Sequence, residues 1–161
     1  MQLSPLLLER CYFQQIHIDA TPEGTPHSTV GQFKTETTIA TAKDQPGKWQ
    51  VTLTVSLEAQ TKSEPSTYSG ELQVVGIFCI DQGYPEANRE ALISANAPAV
   101  LFSMARELIA NLTARGPYPM VCLPTVTFVD QIPKPQLSVD KSLPAPGNTK
   151  TASAAKNGKK V

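Results

Sequence analysis

Histidine, cysteine and carboxylate side chains carry most acid–base, nucleophilic and metal chemistry, so their spacing is read first. The chain has two histidines, His17 and His27, and three cysteines, Cys11, Cys79 and Cys122. Asp19, Glu23 and His27 fall in one Pro- and Gly-rich stretch and have the composition of an acid–base set. Their surroundings favour a solvated loop with ordinary charges. Neither histidine has a Cys or Asp pair at ligand spacing, and HExxH, CxxC and phosphate-cradling glycine motifs are absent from the sequence. The cysteines are odd in number and far apart, so no disulfide framework uses all of them; they read as buried free thiols in a reducing compartment. No catalytic residue, metal site or cofactor is expected, and the chain reads as a non-enzyme.

The chain has 161 residues, of which 40% are hydrophobic, which suits one domain with a modest core. Basic and acidic residues balance to a formal net charge of zero, so no global field points to nucleic acid or an anionic membrane. The aromatic residues follow strand parity and are not interleaved with Lys or Arg, which argues against a stacking platform for single strands. The start, MQLSPLLLERC, lacks the charged region of a signal peptide, and no later stretch approaches the ~20 apolar residues of a membrane span. A soluble, cytoplasmic protein is expected.

Four segments have strand patterns. Trp49, Val51, Leu53, Val55 and Leu57 alternate with polar residues through Gln60, giving one apolar and one wet face. Tyr68 to Ile80 places Leu72, Val74, Phe78 and Ile80 on one face but Val75 and Ile77 on the other, which predicts a strand end covered twice. Leu6 to Ile18 keeps Leu6, Leu8, Tyr12, Ile16 and Ile18 on one parity, interrupted at Arg10 and Gln14, where a bulge or subunit contact fits. Phe33 to Ala42 is carried by β-branched residues. The turns Lys43–Lys48 and Thr61–Ser66 join these strands into an antiparallel meander. Asp19 to Gln32 is too long and too rich in Pro and Gly for a hairpin and is suited to a crossover.

One strong helix runs from Pro98, with Leu101, Phe102, Ala105, Leu108, Ile109 and Leu112 at helical spacing. Gly116 is placed as its left-handed C′ residue and Pro117 as a stop. Glu86 to Ala97 reads as an earlier helical turn broken before Pro98. The segment Tyr118 to Ile132 reads as extended and packed. Residues 133–161 are rich in Pro, Ala, Ser, Thr and Lys and read as a disordered tail behind a single domain of residues 1–132.

One sheet face and one helix face can cover each other, and apolar side chains are then left over. Those left over suit either ordinary core and oligomer interface or a groove for extended peptide, with Val30, Phe33, Ile39, Trp49, Tyr118 and Phe128 as the groove candidates. Met104 or Met120, where exposed, would adapt to varied side chains. A small α+β enzyme or ligand-binding domain is the competing class, but no converging set of polar residues supports it.

Three stretches complete the reading: Phe102-Ser-Met-Ala-Arg-Glu-Leu-Ile109, Ala114-Arg-Gly-Pro-Tyr-Pro119 and Leu123-Pro-Thr-Val-Thr-Phe128. Together they resemble the SecB signature, in which a helix close to LFPYARE.I ends in RG.FP and runs into L.PVNF. Glu71 to Phe78 is similar to the family's EV.Q.GIF strand, and the match spans about Leu6 to Phe128. The resemblance implies an α+β fold, a four-stranded antiparallel sheet with one main helix on one face, assembled as a dimer of dimers. It also implies an ATP-independent holdase that binds unfolded polypeptides for the Sec translocase and docks the SecA motor through acidic positions, here Asp19 and Glu71. Gln15 and Ser69 stand where the family often has an acidic residue and a leucine. Pro133, Pro135, Pro144 and Pro146 disfavour the family's second helix, and Lys156, Lys159 and Lys160 replace an acidic tail. These departures fit a sibling role, a SecB-like chaperone dedicated to one client such as an antitoxin.

Overall fold

The protein is described by a computed structural model that covers residues 3–21, 33–41, 47–58 and 67–129. Four strands, β1 (Leu6–Ala20), β2 (Phe33–Thr41), β3 (Lys48–Leu57) and β4 (Tyr68–Ile80), precede one long helix, α1 (Arg89–Thr113), entered through a short 3-10 turn at Glu86–Asn88. The strands form one antiparallel sheet in the order β1-β4-β3-β2. β2, β3 and β4 form the meander expected from the short turns. β1 lies against β4 at the far side, so the connection between β1 and β2 links opposite edges of the sheet.

Period-two patterning accounts for the middle of the sheet. On β3, Val51, Leu53 and Val55 are fully buried while the residues between them are half-exposed. Leu72, Val74 and Phe78 of β4 share that face. α1 lies over these two strands, presenting Ile93, Ala97, Leu101, Phe102, Ala105 and Ile109. Burial of this shared apolar surface, at about 25 cal/mol per Å², is what holds the helix to the sheet.

Three expectations are corrected here. Pro98 does not start the helix but lies inside it, buried with Ser94 and Ala97. It forfeits one backbone hydrogen bond, yet the apolar face from Ile93 to Ile109 packs as one surface, and that packing outweighs the local propensity. Gly116 does not adopt a left-handed conformation, since among the described glycines only Gly47 and Gly70 have positive φ. It is required by packing, because a Cβ at Gly116 would stand 2.3 Å from the Tyr68 hydroxyl oxygen. The 28-residue helical stretch Glu86–Thr113 is, by length and composition, apolar enough to cross a membrane, contrary to the sequence reading. Here its apolar side packs on the sheet. Finally, Val75 is fully buried on the face away from α1, outside the main core cluster. It lies between its cross-strand neighbours Tyr12 and Thr52, so β4 is covered on both faces at this point, as its two-sided apolar pattern predicts.

β1 carries register shifts between Leu8 and Arg10 and between Phe13 and Gln15, two bulges close to the interruptions seen in the sequence. The first transfers the helix-side parity from Leu6 and Leu8 to Cys11 and Phe13. Near the other end Gly70, with φ +147°, lets β1 approach closely; a Cβ there would sit 2.1 Å from the carbonyl oxygen of His17. The predicted left-over tail, residues 133–161, lies outside the described residues.

Candidate peptide-binding and docking surfaces

After α1 the chain turns back along the helix as an extended segment, residues 117–129, as expected from its prolines. Its fixings are specific. Thr113 Oγ1 accepts the Val121 amide at 2.9 Å, Arg106 Nε donates to the Leu123 carbonyl at 2.8 Å, and the Phe128 ring lies 6.1 Å from that of Phe102. Val121 and Leu123 point inward and Cys122 outward, the alternation of an extended chain. Cys122 is therefore exposed, and Cys11 and Cys79 only partly buried, which corrects the reading of all three as core thiols.

The predicted groove residues divide accordingly. Phe33, at the start of β2, is half-buried and stacks on Phe102 with ring centroids 6.0 Å apart. Ile39 and Trp49 are half-buried on the same helix-side face, Ile39 opposite Val51 and Trp49 opposite Thr41. Six residues of strand separate Phe33 from Ile39, about 20 Å, so they mark two ends of one margin and not one pocket. Phe128 is 3% exposed and belongs to the core, where it offers no open surface in this chain. Tyr118 is a tie: its hydroxyl donates to the Thr21 carbonyl at 2.7 Å, its amide donates to the Tyr68 hydroxyl at 3.2 Å, and the two rings meet edge to face at 5.8 Å. The Tyr68 hydroxyl also lies 3.1 Å from the carbonyl oxygens of Thr113 and Tyr118. Val30 lies outside the described residues. Met120 is 53% exposed beside this segment.

A second apolar margin was missed as a surface. Between β1 and the flank of α1 lies an open cleft of about 370 Å³, lined by Cys11, Phe13, Met104, Glu107, Leu108 and Asn111. A further opening of about 400 Å³ runs along Leu6, Leu8, Ala99 and Val100. Ile16 and Leu112 are exposed beside them, and Leu7 and Tyr12 are exposed on β1. The parity breaks at the bulges were the only sequence signal for it. The Cys11 thiol donates to the Met104 sulfur at 3.3 Å across the cleft, and burial pushes its pKa up.

The face away from α1 is mostly polar. His17 stands opposite Glu71 and Asp19 opposite Ser69, so the two predicted acidic docking positions share one patch. Asp19 lies within β1 and not in a loop after it; Glu23 and His27 are outside the described residues. His17 Nε2 and Asp19 Oδ2 are 2.9 Å apart in solvent, an exposed contact of small energetic weight. Glu71 accepts a long hydrogen bond from Ser56 at 3.5 Å. At the other end Lys48 and Glu9 pair at 2.9 Å across Cys79. Hydrogen bonds from Cys79 and then Lys48 lower the Glu9 pKa, while burial and then Glu9 raise that of Cys79. Among the described residues no group of His, Cys, Asp or Glu is arranged to hold a metal ion.

Comparisons with known proteins agree with this architecture. The chain is 29% identical over 136 residues to the protein-export protein SecB of Acidithiobacillus ferrooxidans, covering 79% of this chain and 87% of the relative. It is 29% identical to that of Halorhodospira halophila, covering 75% and 70%. Among solved structures, a SecB-like chaperone of Mycobacterium tuberculosis in complex with an antitoxin peptide superposes with a TM-score of 0.60 at 13% identity, covering 75% of this chain and 90% of that one. At that identity the likeness concerns the fold alone. The family description "Preprotein translocase subunit SecB" matches residues 4–133, which include the sheet, α1 and the returning segment, and the chain belongs to the SecB family.

Proposed function

We propose that this protein is a cytoplasmic, ATP-independent holdase that binds non-native polypeptides and delivers preproteins to the Sec translocase. The observation that supports it is the distribution of apolar surface. The middle of the sheet is sealed by α1, whereas both flanks keep half-buried or exposed apolar side chains that this subunit does not cover. The β1–α1 cleft suits association of copies, and a homotetramer built as a dimer of dimers would hold one client at several places. Linked weak contacts then give useful affinity through effective concentration. The β2 margin, with Phe33, Ile39 and Trp49, is left for the client. Asp19 and Glu71 form the acidic patch offered to SecA.

A second reading keeps the holdase and changes the client. Gln15 and Ser69 on the docking face, the basic Lys156, Lys159 and Lys160, and a structural neighbour solved with an antitoxin peptide all favour a single dedicated partner. Suppressed aggregation of an unrelated refolding protein, without nucleotide and at stoichiometric assembly, tests the general holdase. Capture of endogenous partners separates the readings: SecA with diverse precursors, or one small DNA-binding protein. Phe33→Asp is expected to weaken client binding while the sheet stays folded; an unfolded variant would assign Phe33 to the core.

A further inference from the structure

We infer that the lysine-rich end of this chain, residues 147–161, docks in the same copy on the sheet face turned away from α1, at the end that carries Glu36, Glu71 and Asp19. The charge of the chain is divided to suit this. Residues 130–161 hold six lysines and two aspartates, a formal +4, and because the whole chain is neutral residues 1–129 carry −4. Lys150, Lys156, Lys159 and Lys160 all fall within residues 147–161, which contain no acidic side chain.

The face is charged unevenly. Strand pairing sets Glu36 in one row with Thr54, Gln73 and Gln15, and Glu71 in the next with Lys34, Ser56 and His17. Asp19 stands one step further on, opposite Ser69. Strand and row spacings put neighbouring carboxylates of this set roughly 8 to 12 Å apart, a distance that about three or four residues of extended chain span. Among the described residues Glu36 and Glu71 have no ion pair, Asp19 has only His17, and Lys34 is already held by Glu58. At the other end of the face Arg10 and Lys48 stand with Glu9, so a cation is drawn to one end only. The described chain also leaves at the favoured end. The Phe102 ring lies between those of Phe128, 6.1 Å away, and Phe33, 6.0 Å away, which brings the chain past Phe128 close to the start of β2. Residues 130–146 reach no further than roughly 60 Å, enough to round the β2 edge from the helix side to the outer face. Each exposed ion pair is weak, but lysines on one tether act together at high effective concentration. A partner that docks through its own cations at Asp19 and Glu71 must displace this segment first, which makes the segment a brake on the docking face.

The test is zero-length carbodiimide coupling of the full chain, which joins a lysine amine to a carboxylate in contact with it, read by mass spectrometry of the peptides. Lys156, Lys159 or Lys160 is expected to couple to Glu36, Glu71 or Asp19 with yields roughly tenfold above those at Glu90 and Glu107, which are exposed on α1. Raising salt from about 0.05 to about 0.5 M is expected to remove that excess, because screening shortens the reach of exposed charges. Glu36→Lys combined with Glu71→Lys is expected to lower coupling at Asp19 by roughly tenfold, with coupling at Glu90 and Glu107 and the melting temperature unchanged. Equal yields at all exposed carboxylates overturn the inference, as does an excess at Asp19 that the double variant leaves intact. In a mixture of isotope-labelled and unlabelled chain, products that join the two mean that a second copy supplies the segment, and this too overturns the inference. No coupling at these carboxylates, together with binding of an octalysine peptide to them, assigns the face to a separate basic partner and overturns it as well. Client binding is not measured here, so the holdase reading stands or falls by its own test.

Discussion

The two inner strands and the two outer strands of this sheet are built from similar residues but carry different burdens. β3 and β4 hold Val51, Leu53, Val55, Val74 and Val75 at 0% exposure beneath α1 or between neighbouring side chains. β1 and β2 contain no buried residue at all. The single helix covers the width of two strands, so the margins keep apolar surface that this chain leaves uncovered. Stability resides in the centre, and the apolar surface left open resides at the edges.

The sharpest way to break that division is where a margin joins the centre. Gly70→Ala would force a Cβ into the His17 carbonyl at a conformation that L-residues rarely adopt, and the expected loss is about 4 kcal/mol or more by chemical denaturation. Leu101→Ala empties the centre and is expected to cost about 3 kcal/mol by the same measurement, with client affinity unchanged in the folded fraction. A margin substitution should behave oppositely. Ile16→Asp, at a residue 52% exposed, is expected to change subunit stability by no more than about 0.5 kcal/mol while lowering the light-scattering mass. Unchanged mass would remove β1 from the assembly surface.

Two smaller effects refine the picture. Thr37 Oγ1 is buried without a hydrogen-bond partner among the described residues, so Thr37→Val is expected to stabilise the protein by about 0.5 to 1 kcal/mol. Thiol alkylation at neutral pH, followed by mass spectrometry, should label exposed Cys122 first. Burial raises the pKa of Cys11 and Cys79 above the ordinary thiol range, so less thiolate is present and both should react more slowly, on the order of tenfold. Raising the pH should narrow the gap.

Much of the fold was legible because the centre obeys simple periods. Val51, Leu53 and Val55 marked β3, Leu72, Val74, Phe78 and Ile80 marked one face of β4, and Leu101 to Ile109 marked the helix. Legibility failed where tertiary contact overrides local preference. Pro98 looked like a helix start, yet the apolar face continues through it. Gly116 looked like a left-handed cap, yet Tyr68, far away in sequence, is what excludes a side chain there. The site was harder still. Phe33 and Phe128 have similar sequence surroundings, but the returning segment pins Phe128 into the core and leaves Phe33 at the rim. The β1–α1 cleft depends on bulges that displace parity by one residue, and hydrophobic pattern alone does not place them.

The central claim is that uncovered apolar margins bind extended, non-native chains and do so without an energy source. It is tested most directly by titrating one protein in its native form and in its permanently unfolded form against this chain, with no nucleotide present. Saturable binding of the unfolded form alone is the predicted result. Equal binding of both forms, or none of either, would contradict it.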